Sequence, residues 1–268
     1  MYRAGNNILT LNNSIIRVPD TPTIKIDIFN SGGTYNIPQY TYKIDYLIVA
    51  GGGGGGGVTV ITTPVAGGGG GAGGYLAGTI NNPTGTSHSI IVGSGGTKGK
   101  GTLGSPSNGG NSSFYGLTAI GGGYGYNVTT TSVGNGADGG SGGGAGSSIV
   151  VGFHSGGTGI SGQGYDGGYA TEAGVGSGAG GGAAAVGGHY VFPQKAFGGA
   201  GISNSITGSA VIYAVGGDGA TPGPAEGVDG AANRGNGGSG AGFYAAGGRR
   251  CGGNGGSGIV VIKSYYLI

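Results

Sequence analysis

Apolar and polar positions alternate most clearly in two stretches near the start of the chain. Ile24, Ile26 and Ile28 alternate with Lys25 and Asp27, the period-2 signature of a half-buried strand. After a turn at Asn30-Ser31-Gly32-Gly33, a second strand is predicted from residue 42. Tyr42, Ile44, Tyr46 and Ile48 form one face, with Lys43 and Asp45 on the other. Leu47 and Val49 continue that second face, so the far end of the strand should be covered on both sides. The strand then runs without a turn signal into Gly51, Gly52, Gly53, Gly54, Gly55, Gly56 and Gly57.

Beyond this tract two textures alternate. Short β-like clusters recur at 58–62, 89–92, 114–120, 148–151, 189–192, 209–215 and 259–265. Glycine tracts separate them, as at 67–74, 134–146, 174–188 and 235–242. No segment has a helical period, and glycine opposes a helix by about 1 kcal/mol per residue. The fold is therefore expected to be all-β, with a component specific to glycine. Residues 1–22 read as an arm outside the domain at 23–268. In the arm Ile8, Leu9 and Leu11, then Ile15, Ile16 and Val18, mark two short strands before Pro19 and Pro22. The arm pairs with a neighbour, lies on the domain or is a loose terminus.

Composition sharpens the picture. Glycine supplies 78 of 268 residues, without the strict period or the proline content of collagen. Disordered chains are poor in aromatic and β-branched residues, whereas 16 tyrosines and many Ile/Val clusters punctuate these glycines. Ordering one residue's backbone costs about 1–2 kcal/mol, and glycine lies at the high end. Buried glycine amides and carbonyls must also find partners. Polyglycine-II rods, with three residues per turn and no internal bonds, meet both demands when packed side by side. Gly, Ala and Ser should fill their interior.

Charge and motif content narrow the function. Charged residues make up 7% of the chain and the net charge is +2, which gives phosphate neutralisation little to work with. A single cysteine cannot form an internal disulfide. Neither a signal peptide nor a membrane-spanning apolar run is visible in the sequence. G-x-G-x-x-G matches follow no βαβ pattern, and 93–101 lacks phosphate-loop spacing. The segments 134–138 and 162–166 match half of a calcium nonapeptide, but each lacks flanking parts of the repeat. His88, His154 and His189 lie far apart. No catalytic residue, metal site or cofactor is therefore expected. Tyr124, Tyr126, Phe153, Tyr165, Tyr169, Phe243 and Tyr244 lie in or beside glycine stretches. Aromatics on rigid loops suit recognition, including stacking on sugar rings. They could equally cap the ends and seams of a glycine bundle.

An ordered set of segments carries a family resemblance: Phe29-Asn30-Ser31-Gly32-Gly33-Thr34-Tyr35-Asn36-Ile37-Pro38, then Asp45-Tyr46-Leu47-Ile48-Val49-Ala50 and its glycines. It continues at 73–78, 111–114, 119–123, 206–209 and 256–263. Residues 23–268 thereby resemble the glycine-rich domain of bacteriophage tail-fibre and related viral structural proteins. The resemblance implies a jelly-roll-like β-sandwich combined with a bundle of polyglycine-II helices, the first and last strands being neighbours. It also implies loops at the bundle end that meet a host receptor. Only about 22 residues precede the domain, so a small separate virion protein is expected rather than a complete tail fibre.

The expected function is non-enzymatic: a virion structural protein on the particle surface, on the tail or the capsid. It would aid host attachment or decorate the shell. Its partners would be other virion proteins, copies of itself (a trimer is one form) and a host-surface glycan or protein, with neither nucleic acid nor membrane insertion. Two alternatives remain: a non-viral glycine-bundle protein binding ice, glycan or extracellular matrix, and an unfolded adhesive matrix protein.

Overall fold

A computed structural model describes residues 8–11, 14–17, 21–60, 64–129, 132–148, 152–170, 176–191, 194–221, 223, 225–243 and 248–267. Among them every regular element is a β-strand, so the chain is all-β. The largest sheet has four antiparallel strands, in the order Thr23–Phe29, Ile259–Tyr266, Thr41–Val49 and Tyr75–Asn81. The last strand of the chain thus lies between two of the first, pairing Ile262 with Asp27 on one side and Tyr46 on the other.

Alternation along Thr41–Val49 divides its side chains between two cores. Ile44 and Ile48 join Val260 and Ile262, covered by Tyr35, Ile90, Phe114 and Ala119. Those covering residues come from two small antiparallel pairs, Gly33–Asn36 with Ser87–Ile90 and Ser112–Phe114 with Leu117–Ala119. Leu47 and Val49 join Ile259 and Val261 on the opposite face, against Ala72, Ala183, Tyr213 and Ala214. The far end of the strand is covered on both sides, as its sequence predicts. The sheets themselves are small and open.

Two sequence expectations change. Ile24, Ile26 and Ile28 form a strand, but their face is open, at 51%, 39% and 51% exposure. The covering hairpin, Ile202–Asn204 with Val211–Tyr213, packs on the central strands instead. The cluster 114–120 is a hairpin rather than one strand. Tyr115 and Gly116 turn it with φ of 53° and 77°, a pair of positive values that matches the right-handed twist of the flanking strands. Residues 61–62, 149–151, 174–175, 192 and Val18 lie outside the described residues.

The glycine tract leaving Val49 is ordered and fully bonded. The N–H groups of Gly51 and Gly54 donate to the carbonyls of Gly110 and Ser107, both at 3.0 Å. Those of Gly52 and Gly55 donate to Gly256 and Gly253, and those of Gly53 and Gly56 to Gly71 and Gly68. Their carbonyls accept in the same rhythm, from Gly122 and Gly125, Gly96 and Gly99, and Gly238 and Ala241. Each neighbour recurs at every third residue, the repeat of a polyglycine-II rod. Donors face three antiparallel neighbours and acceptors three parallel ones, so six rods surround residues 51–57. Residues 67–74, 141–146 and 177–182 are also ringed by six neighbours, of mixed direction.

This packing leaves no room for a side chain. A Cβ on Gly51, Gly52, Gly53, Gly54, Gly55 or Gly56 would lie 1.9–2.1 Å from a carbonyl oxygen of the next rod. Rim segments are free on one side, and there the larger residues take the open face. Gly93, Gly96 and Gly99 are buried while Ile91, Ser94, Thr97 and Lys100 are exposed. Adding a methyl at Gly54 is expected to destabilise the protein by about 3 kcal/mol or more, or to prevent folding. Gly104→Ala, where the nearest atoms stand 4.0 Å away, should stay within about 0.5 kcal/mol of wild type. Urea denaturation of the two variants compares them, and equal midpoints would refute the close-packed bundle.

Candidate functional site

Three rim segments of the bundle lie side by side, 152–159, 164–170 and 186–190. His154 and Ala170 exchange N–H···O bonds of 3.0 and 2.9 Å, and the Gly187 N–H donates to the Asp166 carbonyl at 2.9 Å. One ring from each segment joins a ladder. Tyr169 stacks on His189 with centroids 3.6 Å apart and planes 20° apart. Phe153 lies on its other side at 5.2 Å and 38°, with 62% of its surface exposed.

The ladder is held from the backbone. Among the described residues no carbonyl accepts the Tyr169 N–H, which donates instead to His189 Nδ1 at 3.2 Å. That bond requires an unprotonated Nδ1, and partial burial holds the imidazole below its ordinary range. Other rim amides are closed by side chains too. Asn108 and Asn111 accept from Tyr124 and Gly121. Asp138, Asp166, Asp218, Glu226 and Asp229 accept from Thr158, Gly159, Gly198, Cys251 and Asn254 at 2.6–2.8 Å. Among the described residues, these five of the chain's nine acidic residues thus close backbone at the rim. Asp138 and Asp166, the aspartates of the two half calcium motifs, are among them. Among the described residues no three His, Cys, Asp or Glu side chains gather as a cation site, and no helix is long and apolar enough to cross a membrane.

The aromatics singled out in the sequence do not form one site. Phe153 and Tyr169 meet. Tyr165 stands four residues from Tyr169, opens on a separate cleft near the sheet and is 48% exposed. Half-buried Tyr124 sits on another rim segment, bonded through its N–H to Asn108. Tyr126 is a seam residue rather than a contact residue: its ring packs on Val58, Val65, Val128 and Ala241, and its hydroxyl bonds Ser132. The Gly242–Phe243 strand pairs with Val65–Ala66, and Tyr244 lies outside the described residues. In the arm, Ile8–Leu11 pairs with Ser14–Arg17 as a two-stranded sheet of its own, setting Leu9 opposite Ile16 and Leu11 opposite Ser14.

His189 is the site residue that sequence reasoning missed, having read it as isolated. A signal existed in its spacing. Asn135 with Ser155, Asp138 with Thr158, Tyr169 with His189 and Gly198 with Asp218 are all bonded across 20 residues. A family model described as a glycine-rich domain matches residues 29–265. No curated protein matches the chain.

The lowered His189 titration sets a direction with pH. A histidine that titrates lower when folded contributes fully above its ordinary value of about 6.5 and loses that contribution as pH falls. As pH falls below that ordinary value, the hydrogen-exchange protection factor of the Tyr169 amide should therefore drop. The Ala170 amide, bonded to a backbone carbonyl, should keep its protection. Parallel behaviour of the two amides would refute the role given to His189.

Proposed function

The chain belongs to the glycine-rich domain family, and we propose that it is a non-enzymatic virion structural protein displayed on the particle surface. Its role is host attachment or decoration of a tail fibre, tail tip or capsid. The observation carrying this reading is the bundle itself. Four interior rods bonded on all sides make a scaffold that expels every bulky side chain to its rim and ends. Phe153, Tyr169 and His189 are displayed there on a rigid base, an arrangement suited to recognition. The engaged rim carboxylates fit a structural role better than a catalytic one. The resemblance to bacteriophage tail-fibre domains supplies the viral setting, with synthesis in the host cytoplasm and assembly onto the particle outside any membrane.

Partners in this reading are other virion proteins, further copies of the chain and a host-surface glycan or protein. An isolated two-stranded hairpin is marginal in water, which suits the arm at 1–22 to adding strands to a neighbour. Immunogold labelling of intact particles is expected to place the chain at a fibre tip or on the shell. Its absence from purified particles would overturn the proposal. Deleting residues 1–22 is expected to leave the circular dichroism of the bundle unchanged and to lower particle incorporation severalfold. Undiminished incorporation would remove the role of the arm.

A further inference from the structure

The cleft beside Tyr165 follows from the packing rule of the bundle. A Cβ on Gly168 would strike the carbonyl oxygen of Gly188 at 1.9 Å, so that face of the rod is closed to side chains. Tyr165 lies one rod repeat earlier on the same face, beyond the point where the neighbouring segment 186–190 ends. A tyrosine is accommodated there because the adjacent lattice position is empty. The resulting cleft has a volume of about 390 Å³ and is lined by Tyr165, Asp166, Ser161, Gln163, Ala183 and Val186 among others.

Its walls are fixed and its chemistry is mixed. The Gln163 amide is engaged in holding the wall: Oε1 accepts the Ile120 N–H at 2.8 Å and Nε2 donates to the Thr118 carbonyl at 3.2 Å. Asp166 accepts the Gly159 N–H through Oδ1 at 2.7 Å, which leaves Oδ2 as an acceptor for a ligand. Tyr165, 48% exposed, and Val186, 55% exposed, supply apolar surface, and Ser161 supplies a hydroxyl.

We propose that this cleft is a binding subsite for one neutral pyranose unit of a glycan. The volume falls within the ~300–1,000 Å³ typical of small-ligand sites. The C–H face of a pyranose suits the Tyr165 ring and Val186, while its hydroxyls can donate to Asp166 Oδ2 and exchange bonds with Ser161. The lining carries one carboxylate and no cation, so phosphorylated or acidic sugars are repelled. A quaternary ammonium group would call for an aromatic cage, and the lining supplies a single ring. The inference rests on the surface-attachment reading only for the source of the sugar.

Saturation-transfer NMR on the full chain tests it, using the methyl glycosides of glucose, galactose, mannose and N-acetylglucosamine. N-acetylneuraminic acid and tetramethylammonium serve as competing classes. At least one neutral glycoside should bind saturably, and Tyr165→Ala should weaken it about tenfold. Ser161→Ala should weaken it about threefold, whereas Phe153→Ala, in the separate ladder, should leave it unchanged. Denaturation midpoints of the variants confirm that each is folded. Lack of transfer from all four glycosides, unaltered binding by Tyr165→Ala, or binding confined to the acid or the ammonium ion would each overturn the inference. A surface-located chain that ignores all four sugars would refute the sugar site alone. A sugar-binding chain absent from particles would refute the virion proposal alone.

Discussion

Everything in this molecule depends on satisfying the backbone of residues that have no side chains. An ordered glycine gives up about 1–2 kcal/mol of conformational freedom and buries almost no apolar surface in return. In the interior rods each residue offers one N–H and one carbonyl, and both are bonded laterally to different neighbours. At a net ~0.5–1.5 kcal/mol per bond, two bonds offset that loss. Sharing each bond between two residues halves the gain, which leaves the bundle near balance. The apolar clusters at the sheet and at the Val58, Val65 and Val128 seam then tip the chain toward folding.

The same geometry sorts side chains. Within a rod the donor, the acceptor and the Cβ of each residue point to three successive neighbours. A side chain larger than that of Ala or Ser is tolerated only where the third neighbour is missing. Hence the interior tracts hold only Gly, Ala and Ser, as in Ser141-Gly142-Gly143-Gly144-Ala145-Gly146, while Thr97, Lys100 and Phe197 stand on the rim. Rim amides then need side-chain acceptors, which is why Asp, Asn and one histidine recur there. Chemistry in such a protein is confined to its outline.

Much of this was legible in the sequence. The run from Tyr42 to Gly57 announces a strand feeding a rod, because Ile44 and Leu47 alternate and the glycines then allow no other packed structure. A second apolar run marks Ile259–Tyr266 as a strand, and the family resemblance, not the run, implied its place beside the first strands. The open isoleucine face was not legible, since alternation shows that a strand has two faces but not which one is covered. Nor could the sequence separate Tyr126 from Tyr124. Both flank Gly125, and only the turn of the rod decides that one ring faces the valine seam. The ladder at His189 escaped because its members are 16, 20 and 36 residues apart, set by three rods meeting at a rim.

The position of Ile259–Tyr266 between Thr23–Phe29 and Thr41–Val49 bears on how the chain comes to be folded at all. Both early strands wait for a partner made more than 200 residues later, and the rod at 51–57 waits for Gly253 and Gly256. Contacts of such long range slow folding. Thr41–Val49 has a nearby partner in Tyr75–Asn81, but the sheet and the bundle can close only once the last strand is made. Interspersed glycine then serves an earlier stage as well, because its low strand propensity makes the waiting chain slow to pair with wrong partners.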